Sequence, residues 1–458
     1  MKFVHHHYQP GETVAAVATP PGEGGVAIIR ISGKDAIKIA DKVFSGNVHS
    51  YATHTVHYGQ VINAQGQHID DALLIPMLGH RSYTGEDTVE IHCHGGALIT
   101  RRVLDVVLQA GARAANPGEF TFKAFINGKI DLAQAEAVQE LICAKNEHAL
   151  DAAEEHLKGT LTQKILGFQN SLTQIAAILE AWIDFPEEGL EFASMEEVCA
   201  DLESICSEMQ SLADTFQNGR IIHDGISLCL IGSPNVGKSS LMNALLDKER
   251  AIVSPIAGTT RDVLEDHMRL NGLNFKLMDT AGIRITDEAI EQEGIKRSRN
   301  AMQEAHLILF VLDASKGLDE QDQWLMSQIP PNKVIAIWNK IDLLKAELPP
   351  LPFKHVVNLS AVYRTGIDHL HQMIDKVIWE KGPPSRDEVL ITNVRHKEAL
   401  LKSIAACRQL ITGLQTNASP ELLFPDMRDT LVHLGSIIGT DISEDILSAI
   451  FSKFCIGK

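Results

Sequence analysis

Hydrophobic spacing divides the chain into regions of different texture. Up to about residue 125, short strand-like runs (26–31, 72–77 and 88–92) alternate with glycine turns and one stretch of helical period near 100–110. That pattern predicts a mixed α/β domain. From Asp131 to about Gly219 apolar residues recur at helical spacing, broken only at Asp184-Phe185-Pro186, and the same texture returns from Asn393 to Phe454. Between the two helical stretches lie apolar runs of strand length, among them 226–231, 307–312 and 334–338. A helical face left apolar by one flanking segment needs the other to cover it, so the simplest arrangement is one helical domain made of both segments with an α/β module inserted. The expected boundaries are 1–125, 126–221, 222–380 and 381–458, with Lys381-Gly382-Pro383-Pro384-Ser385 as the return linker. No internal repeat or low-complexity tract interrupts this plan.

The inserted module carries the chemistry. Gly232-Ser233-Pro234-Asn235-Val236-Gly237-Lys238-Ser239 stands between the run 226–231 and a helix-forming run that opens at Ser240. Strand, glycine loop and helix in that order form a phosphate-binding loop. Its glycines let backbone N–H groups turn inward, Lys238 reaches the terminal phosphates, and the Ser239 hydroxyl can ligate Mg²⁺ at the positive end of the helix. The base is read further on: Asn339-Lys340-Ile341-Asp342 follows the strand-like run 334–338, and a carboxylate at Asp342 can accept from N1–H and the exocyclic amine of guanine, a donor pair that adenine lacks. Ser360-Ala361-Val362 follows a further strand-like run and is expected to contact the guanine oxygen.

Two segments between these motifs are suited to sense a γ-phosphate. Asp279-Thr280-Ala281-Gly282 follows a strand-like run, and Gly258-Thr259-Thr260-Arg261-Asp262 lies in a polar loop. Asp279 would hold Mg²⁺ through water, Gly282 N–H would meet a γ-phosphate oxygen, and Thr260 would complete the metal shell. Ile283 occupies the place where a Ras-like GTPase keeps its water-orienting glutamine, so either a partner group or another polar residue must act. The acidic run 287–293 offers candidates, although by spacing alone it reads as a solvated helix start favoured by the helix dipole. The amide of Asn235, inside the phosphate loop, could ligate a monovalent cation and neutralise charge as an arginine finger does.

Taken with the head Ala18-Thr19-Pro20-Pro21-Gly22-Glu23-Gly24-Gly25, the segments Tyr83-Thr84-Gly85-Glu86-Asp87 and Pro117-Gly118-Glu119-Phe120-Thr121, and the tail Phe454-Cys455-Ile456-Gly457-Lys458, these motifs resemble the MnmE (TrmE) family of tRNA-modification GTPases over nearly the whole chain. The resemblance implies an α/β and α multidomain protein: an N-terminal α/β domain like tetrahydrofolate-binding domains, which also dimerises, a helical domain from two separated segments, and an inserted Ras-like P-loop GTPase domain. It further implies potassium-stimulated GTP hydrolysis, with Asn235, Ser254, Ile256 and Thr259 at the K⁺ site and Ser239 with Thr260 at the Mg²⁺ site. Glu291 falls on the residue that positions the hydrolytic water, which for this one residue replaces the reading from spacing. Val236, Gly237 and Ser240 belong to the nucleotide site, and Arg30, Glu90, Lys129 and Lys458 fall on contacts to 5-formyl- or 5,10-methylene-tetrahydrofolate. From their residue types alone those four would be ordinary surface charges.

Composition narrows the partners. The formal net charge is −18, which argues against broad nonspecific RNA binding, because neutralising phosphates takes clustered Lys and Arg. Any tRNA contact is then local or borrowed. The resemblance supplies the lender, an FAD-dependent MnmG (GidA)-like flavoprotein in a heterotetramer, which with this chain would install an aminomethyl or carboxymethylaminomethyl group on C5 of the wobble uridine. The other reading open to a GTPase is a regulatory or ribosome-assembly switch with no part in modification. A KH-like GXXG loop would favour it, and none follows Asn393. Seven cysteines without a CxxC pair suit a reducing cytoplasm, no apolar run approaches the ~20 residues that cross a bilayer, and no signal-peptide pattern opens the chain. Cys455 reads as a small packed hydrophobe more readily than as a thiolate beside Lys458. His92 and His94 alternate as on a strand but lack further metal ligands. The run His5-His6-His7 is either an adventitious metal binder or a disordered start.

Overall fold

A computed structural model describes residues 11–184, 194–246, 267–278, 302–345, 347–379, 382, 384–385, 388–416 and 418–457. They form two compact units, one of residues 1–142, 155–209 and 399–458, the other of residues 143–154 and 210–398.

In the first unit, β1 (Val14–Val17), β2 (Val26–Ser32), β3 (His57–Ile62), β4 (His68–Met77), β5 (Thr88–His94) and β6 (Arg113–Ala114) make a sheet of order β3-β4-β5-β2-β1-β6. Its pairs are antiparallel except β1 with β6. β4 alternates buried and accessible positions along much of its length, as a strand must when one face meets a core. Ile29, Ile31, Leu74 and Ile91 of that core pack with Val103 and Val107 of α2 (Ala97–Gln109) and with Ile39 of α1 (Ala36–Val43).

The helices α3 (Glu119–Ile126), α4 (Leu132–Cys143), α5 (Glu147–Lys158), α6 (Thr160–Asp184) and α7 (Met195–Asp214) follow, α5 falling mostly, and α8 (Phe216–Asp224) wholly, within the second unit. The later helical stretch forms α12 (Val394–Gln415), α13 (Pro420–Ile438) and α14 (Glu444–Phe451). The two stretches cover each other as their apolar faces require. Gln169 of α6 donates to the Leu431 carbonyl of α13 at 3.4 Å, and Ser403 of α12 lies 3.7 Å from the Met209 sulfur of α7. At the tail, Phe451 and Phe454 pack with Phe122, Phe125 and Leu132, and Gly118 N–H donates to the Cys455 carbonyl.

The second unit holds β7 (Ile226–Ile231), α9 (Lys238–Leu246), β8 (His267–Leu270), β9 (Leu273–Met278), β10 (Leu307–Asp313), α10 (Glu320–Gln328), β11 (Val334–Asn339), β12 (Val356–Asn358) and α11 (Ile367–Ile378). The sheet order is β12-β11-β10-β7-β9-β8. β10 and β11 are buried at every position, as strands of a parallel sheet with both faces covered are. β8 is an antiparallel addition that the hydrophobic runs do not announce. It turns into β9 through Asn271-Gly272, both at positive φ, the residue pair that a tight hairpin favours. Because β7 has β10 on one side and β9 on the other, the strand order reverses at β7, and open α/β sheets bind their ligands beyond the carboxyl ends of the strands at such a switch point.

Candidate guanine-nucleotide site

The phosphate loop leaves β7 at that switch point. Gly232 passes so close to the Val311 carbonyl of β10 that a Cβ has no room. Asn235 (φ 64°) and Gly237 (φ 95°) take left-handed conformations, which asparagine tolerates better than most side chains and glycine adopts freely. Lys238 opens α9, and its ammonium donates to the carbonyls of Gly232 (2.7 Å) and Ser233 (2.9 Å). Burial holds the lysine below its ordinary pKa. Ser239 and Ser240 are exposed in the first turn of α9, where free N–H groups and the helix dipole favour an anion.

Asn339, at the end of β11 and 2% exposed, ties three motifs together. Its Nδ2 donates to the Val236 carbonyl at 2.9 Å, while its Oδ1 accepts from Lys340 N at 2.8 Å and Ala361 N at 3.0 Å. Lys340, left-handed at φ 64°, extends its ammonium to the Asn235 carbonyl at 2.7 Å. Ile341 N–H donates to the Leu359 carbonyl. Asp342 stands exposed in the short turn Ile341–Leu343, Ser360 is buried, and Val362 is exposed. The structure thus joins the phosphate loop to both base-reading segments through backbone carbonyls and a buried amide.

Two carboxylates at this site lie outside the motifs recognised in the sequence. Asp313, the last residue of β10, pairs with Lys340 Nζ at 2.6 Å and accepts from the Ser315 N–H and hydroxyl. Burial would raise its pKa, but the Lys340 and Ser315 contacts prevail and hold it below the usual carboxylate value. Asp322 accepts from the Ser233 hydroxyl at 2.6 Å. The signal available for Asp313 was its place at the carboxyl end of a buried strand, where open α/β sheets gather their ligand-facing groups. Ser254, Pro255, Ile256, Ala257, Gly258, Thr259, Thr260, Asp279, Thr280, Ala281, Gly282, Ile283, Glu291, Lys458 and the histidines 5–7 lie outside the described residues.

On the N-terminal sheet, Arg30 of β2 and Glu90 of β5 are direct cross-strand partners, joined at 2.8 Å, with Arg30 Nη1 donating to the Gly457 carbonyl at 3.1 Å. The guanidinium lies 5.6 Å from the centre of the Phe120 ring, and Tyr83 hydrogen-bonds the Thr121 hydroxyl nearby. Burial pushes the Tyr83 hydroxyl above its ordinary pKa, against opposing pulls from Thr121 and Arg30. Lys129 donates to the His80 carbonyl. Three of the four predicted folate contacts are therefore described, and two of them touch. Tyr83, Phe120 and Thr121 join this cluster without having been singled out individually. Cys455 is exposed, which corrects the expectation of a packed hydrophobe; the neighbouring Phe451 and Phe454 take the apolar positions instead. His94 is engaged by Asp70 at 2.8 Å, and among the described residues no group of three or more His, Cys, Asp or Glu could hold a metal ion. No helix among them is long and apolar enough to cross a membrane.

A phosphate loop at the switch point of a parallel sheet, with an Asn-Lys-x-Asp turn locked onto it, defines a P-loop GTP hydrolase with a Ras-like domain. The family model described as MnmE helical domain matches residues 132–455, and that described as GTP-binding protein TrmE N-terminus matches residues 13–129. The chain is 67% identical over 458 residues to the tRNA modification GTPase MnmE of Protochlamydia amoebophila, covering 100% of both chains. It is 44% identical to the MnmE of Symbiobacterium thermophilum, over 98% of this chain and 99% of that one. A solved G domain of the FeoB iron transporter from T. maritima aligns at 23% identity over 34% of this chain and 99% of that chain, with a TM-score of 0.25. The chain belongs to the MnmE family of tRNA modification GTPases.

Proposed function

We propose that this GTPase couples potassium-stimulated GTP hydrolysis to modification of tRNA wobble uridines in the cytoplasm. The observation that carries the nucleotide half of this reading is the Asn339 bridge, which gives the loop and the base-reading turn one shared geometry. In it, Asn235, Val236, Gly237, Lys238, Ser239 and Ser240 hold the phosphates, Asp342 accepts from the guanine edge, and Ala361 and Val362 border the base. Mg²⁺ and K⁺, when bound, neutralise charge developing on the β- and γ-phosphate oxygens. Ser239 is suited to Mg²⁺ because it stands exposed in the first turn of α9, and the Asn235 amide is suited to K⁺ because it stands exposed in the loop. Ser254, Ile256, Thr259 and Thr260 complete these sites, and Glu291 orients the attacking water.

The N-terminal domain, residues 1–125, binds the one-carbon tetrahydrofolate and dimerises, while residues 126–221 and 381–458 form the helical domain and 222–380 the GTPase domain. Support for the folate site comes from the Arg30–Glu90 pair beside Phe120 and Gly457, which sets a cation, a carboxylate acceptor and an aromatic face together. Lys129 and Lys458 would complete it toward the glutamyl carboxylates. An MnmG-like flavoprotein supplies FAD and the basic tRNA surface that a chain of net charge −18 lacks. The test is mass spectrometry of wobble nucleosides from cells deprived of this protein and resupplied with it or with Lys238→Ala. Restoration by the first and not the second is the expected result, whereas unchanged nucleosides on deprivation would sink the reading.

A further inference from the structure

We infer that Asp322, which belongs to no nucleotide motif, is a positioning residue for the phosphate loop and acts through the Ser233 hydroxyl. The inference rests on residues 232–239 being the phosphate site. Ser233 and Asp322 are 89 positions apart, 6% and 3% exposed, and joined at 2.6 Å in a bond shut away from solvent. Hydrogen bonds to a charged acceptor are stronger than neutral ones, and burial strengthens them further by lowering the local dielectric.

The Asp322 carboxylate is itself held from behind. It occupies the third position of α10, its N–H donates to Asp319 Oδ1 at 2.7 Å, and its second oxygen accepts from Asp319 N–H at 3.4 Å, a reciprocal capping box. Capping does not account for its burial, because cap carboxylates serve equally well at the surface. Desolvation raises the Asp322 pKa, a cost that a cap alone would not require and that the Ser233 contact opposes. On the other side of Ser233, its carbonyl accepts from Lys238 Nζ. A relay therefore runs from the cap of α10 through Asp322 and the Ser233 peptide to the lysine that meets the phosphates. Lys340 fixes the Asn235 carbonyl and Asn339 fixes that of Val236, so Asp322 supplies the remaining brace, at the loop's entrance. Without it the Ser233 side chain loses its anchor and only the Lys238 contact still restrains that residue, so the nucleotide must restore the loop as it binds.

The experiment is a double-mutant cycle in the full chain with Asp322→Ala, Ser233→Ala and their combination, reading the dissociation constant of a fluorescent GTP analogue and the thermal midpoint of each. Each single change is expected to weaken binding about tenfold, the worth of one hydrogen bond to a charged group. The double variant should bind no more weakly than the worse single one, and Asp322→Asn, which keeps an acceptor oxygen, should recover most of the loss. Ser233→Ala binding as the unmodified chain does, or losses that multiply in the double variant, would overturn the inference. Should Asp322→Ala not fold, Ser233→Ala and Asp322→Asn decide alone on the same criteria. Lys238→Ala is the control for the underlying reading: full affinity there would remove the phosphate site and this inference with it.

Discussion

Replacing Asn339 by Asp tests the bridge that unites the nucleotide motifs, because it alters one contact of three. The carboxylate still accepts from Lys340 N and Ala361 N, but an oxygen now faces the Val236 carbonyl where an amide donated at 2.9 Å. One buried hydrogen bond is lost, worth about 1 kcal/mol, and the stranded carbonyl costs a further ~1–3 kcal/mol. Repulsion between the two oxygens adds to this in a site only 2% exposed. A total of ~3 kcal/mol, carried as distortion of the loop that must be undone on binding, weakens nucleotide affinity by about 150-fold. The substitution also carries its own rescue. A buried carboxyl with one oxygen set against a carbonyl has its pKa raised, and once protonated there it donates to Val236 again. Titration of a fluorescent GTP analogue at pH 8 and pH 5.5 should therefore show a large defect that shrinks in acid, measured against the unmodified chain at each pH. A dissociation constant within about threefold of the unmodified value at pH 8 would refute the reasoning, since a missing bond of this kind is worth more than that.

Four further outcomes are expected. Asp342→Asn should favour xanthosine over guanosine triphosphate in competition binding, because an amide donates where the carboxylate accepted; an unchanged guanosine preference contradicts the base contact. Exchanging K⁺ for Na⁺ at constant ionic strength should lower the steady-state hydrolysis rate, and equal rates would count against Asn235 as a cation ligand. His306 accepts from Ser227 N–H, and burial, with Arg220 and Lys333 nearby, holds its pKa below the ordinary value near 6.5 despite Asp224. The fold therefore prefers the neutral ring: its contribution is present above pH ~6.5 and lost as pH falls through the depressed value. His306→Gln should flatten that part of the stability–pH curve in urea unfolding. Finally, five of the seven cysteines are buried, with burial pushing Cys229 up to about 12 and Cys93, helped by Asp70, to about 11. An alkylating reagent at pH 8 should modify Cys143 and Cys455 in the native chain and all seven only after denaturation.

Local pattern determined much of this protein. The strand, glycine loop and helix at 226–246 are legible because their chemistry is contiguous, and the interior strands announce themselves because burial on both faces demands continuous apolar runs. The pairing of the two helical stretches follows from faces that neither can cover alone. The Asn271-Gly272 hairpin was equally local, a positive-φ pair between two short strands, although the hydrophobic runs passed over it. What folding alone decided is every partnership between residues distant along the chain. Nothing at Asp322 marks it as the acceptor of Ser233, nor Asp313 as the anchor of Lys340, since each is an ordinary acid by type and becomes special by burial and proximity. Arg30 and Glu90 became site candidates through family likeness, and it took strand register to set them side by side beneath the returning tail. Sequence specifies which residues can hydrogen-bond or carry charge. Which of them meet, and how strongly, depends on the dielectric and distance that only the folded chain provides.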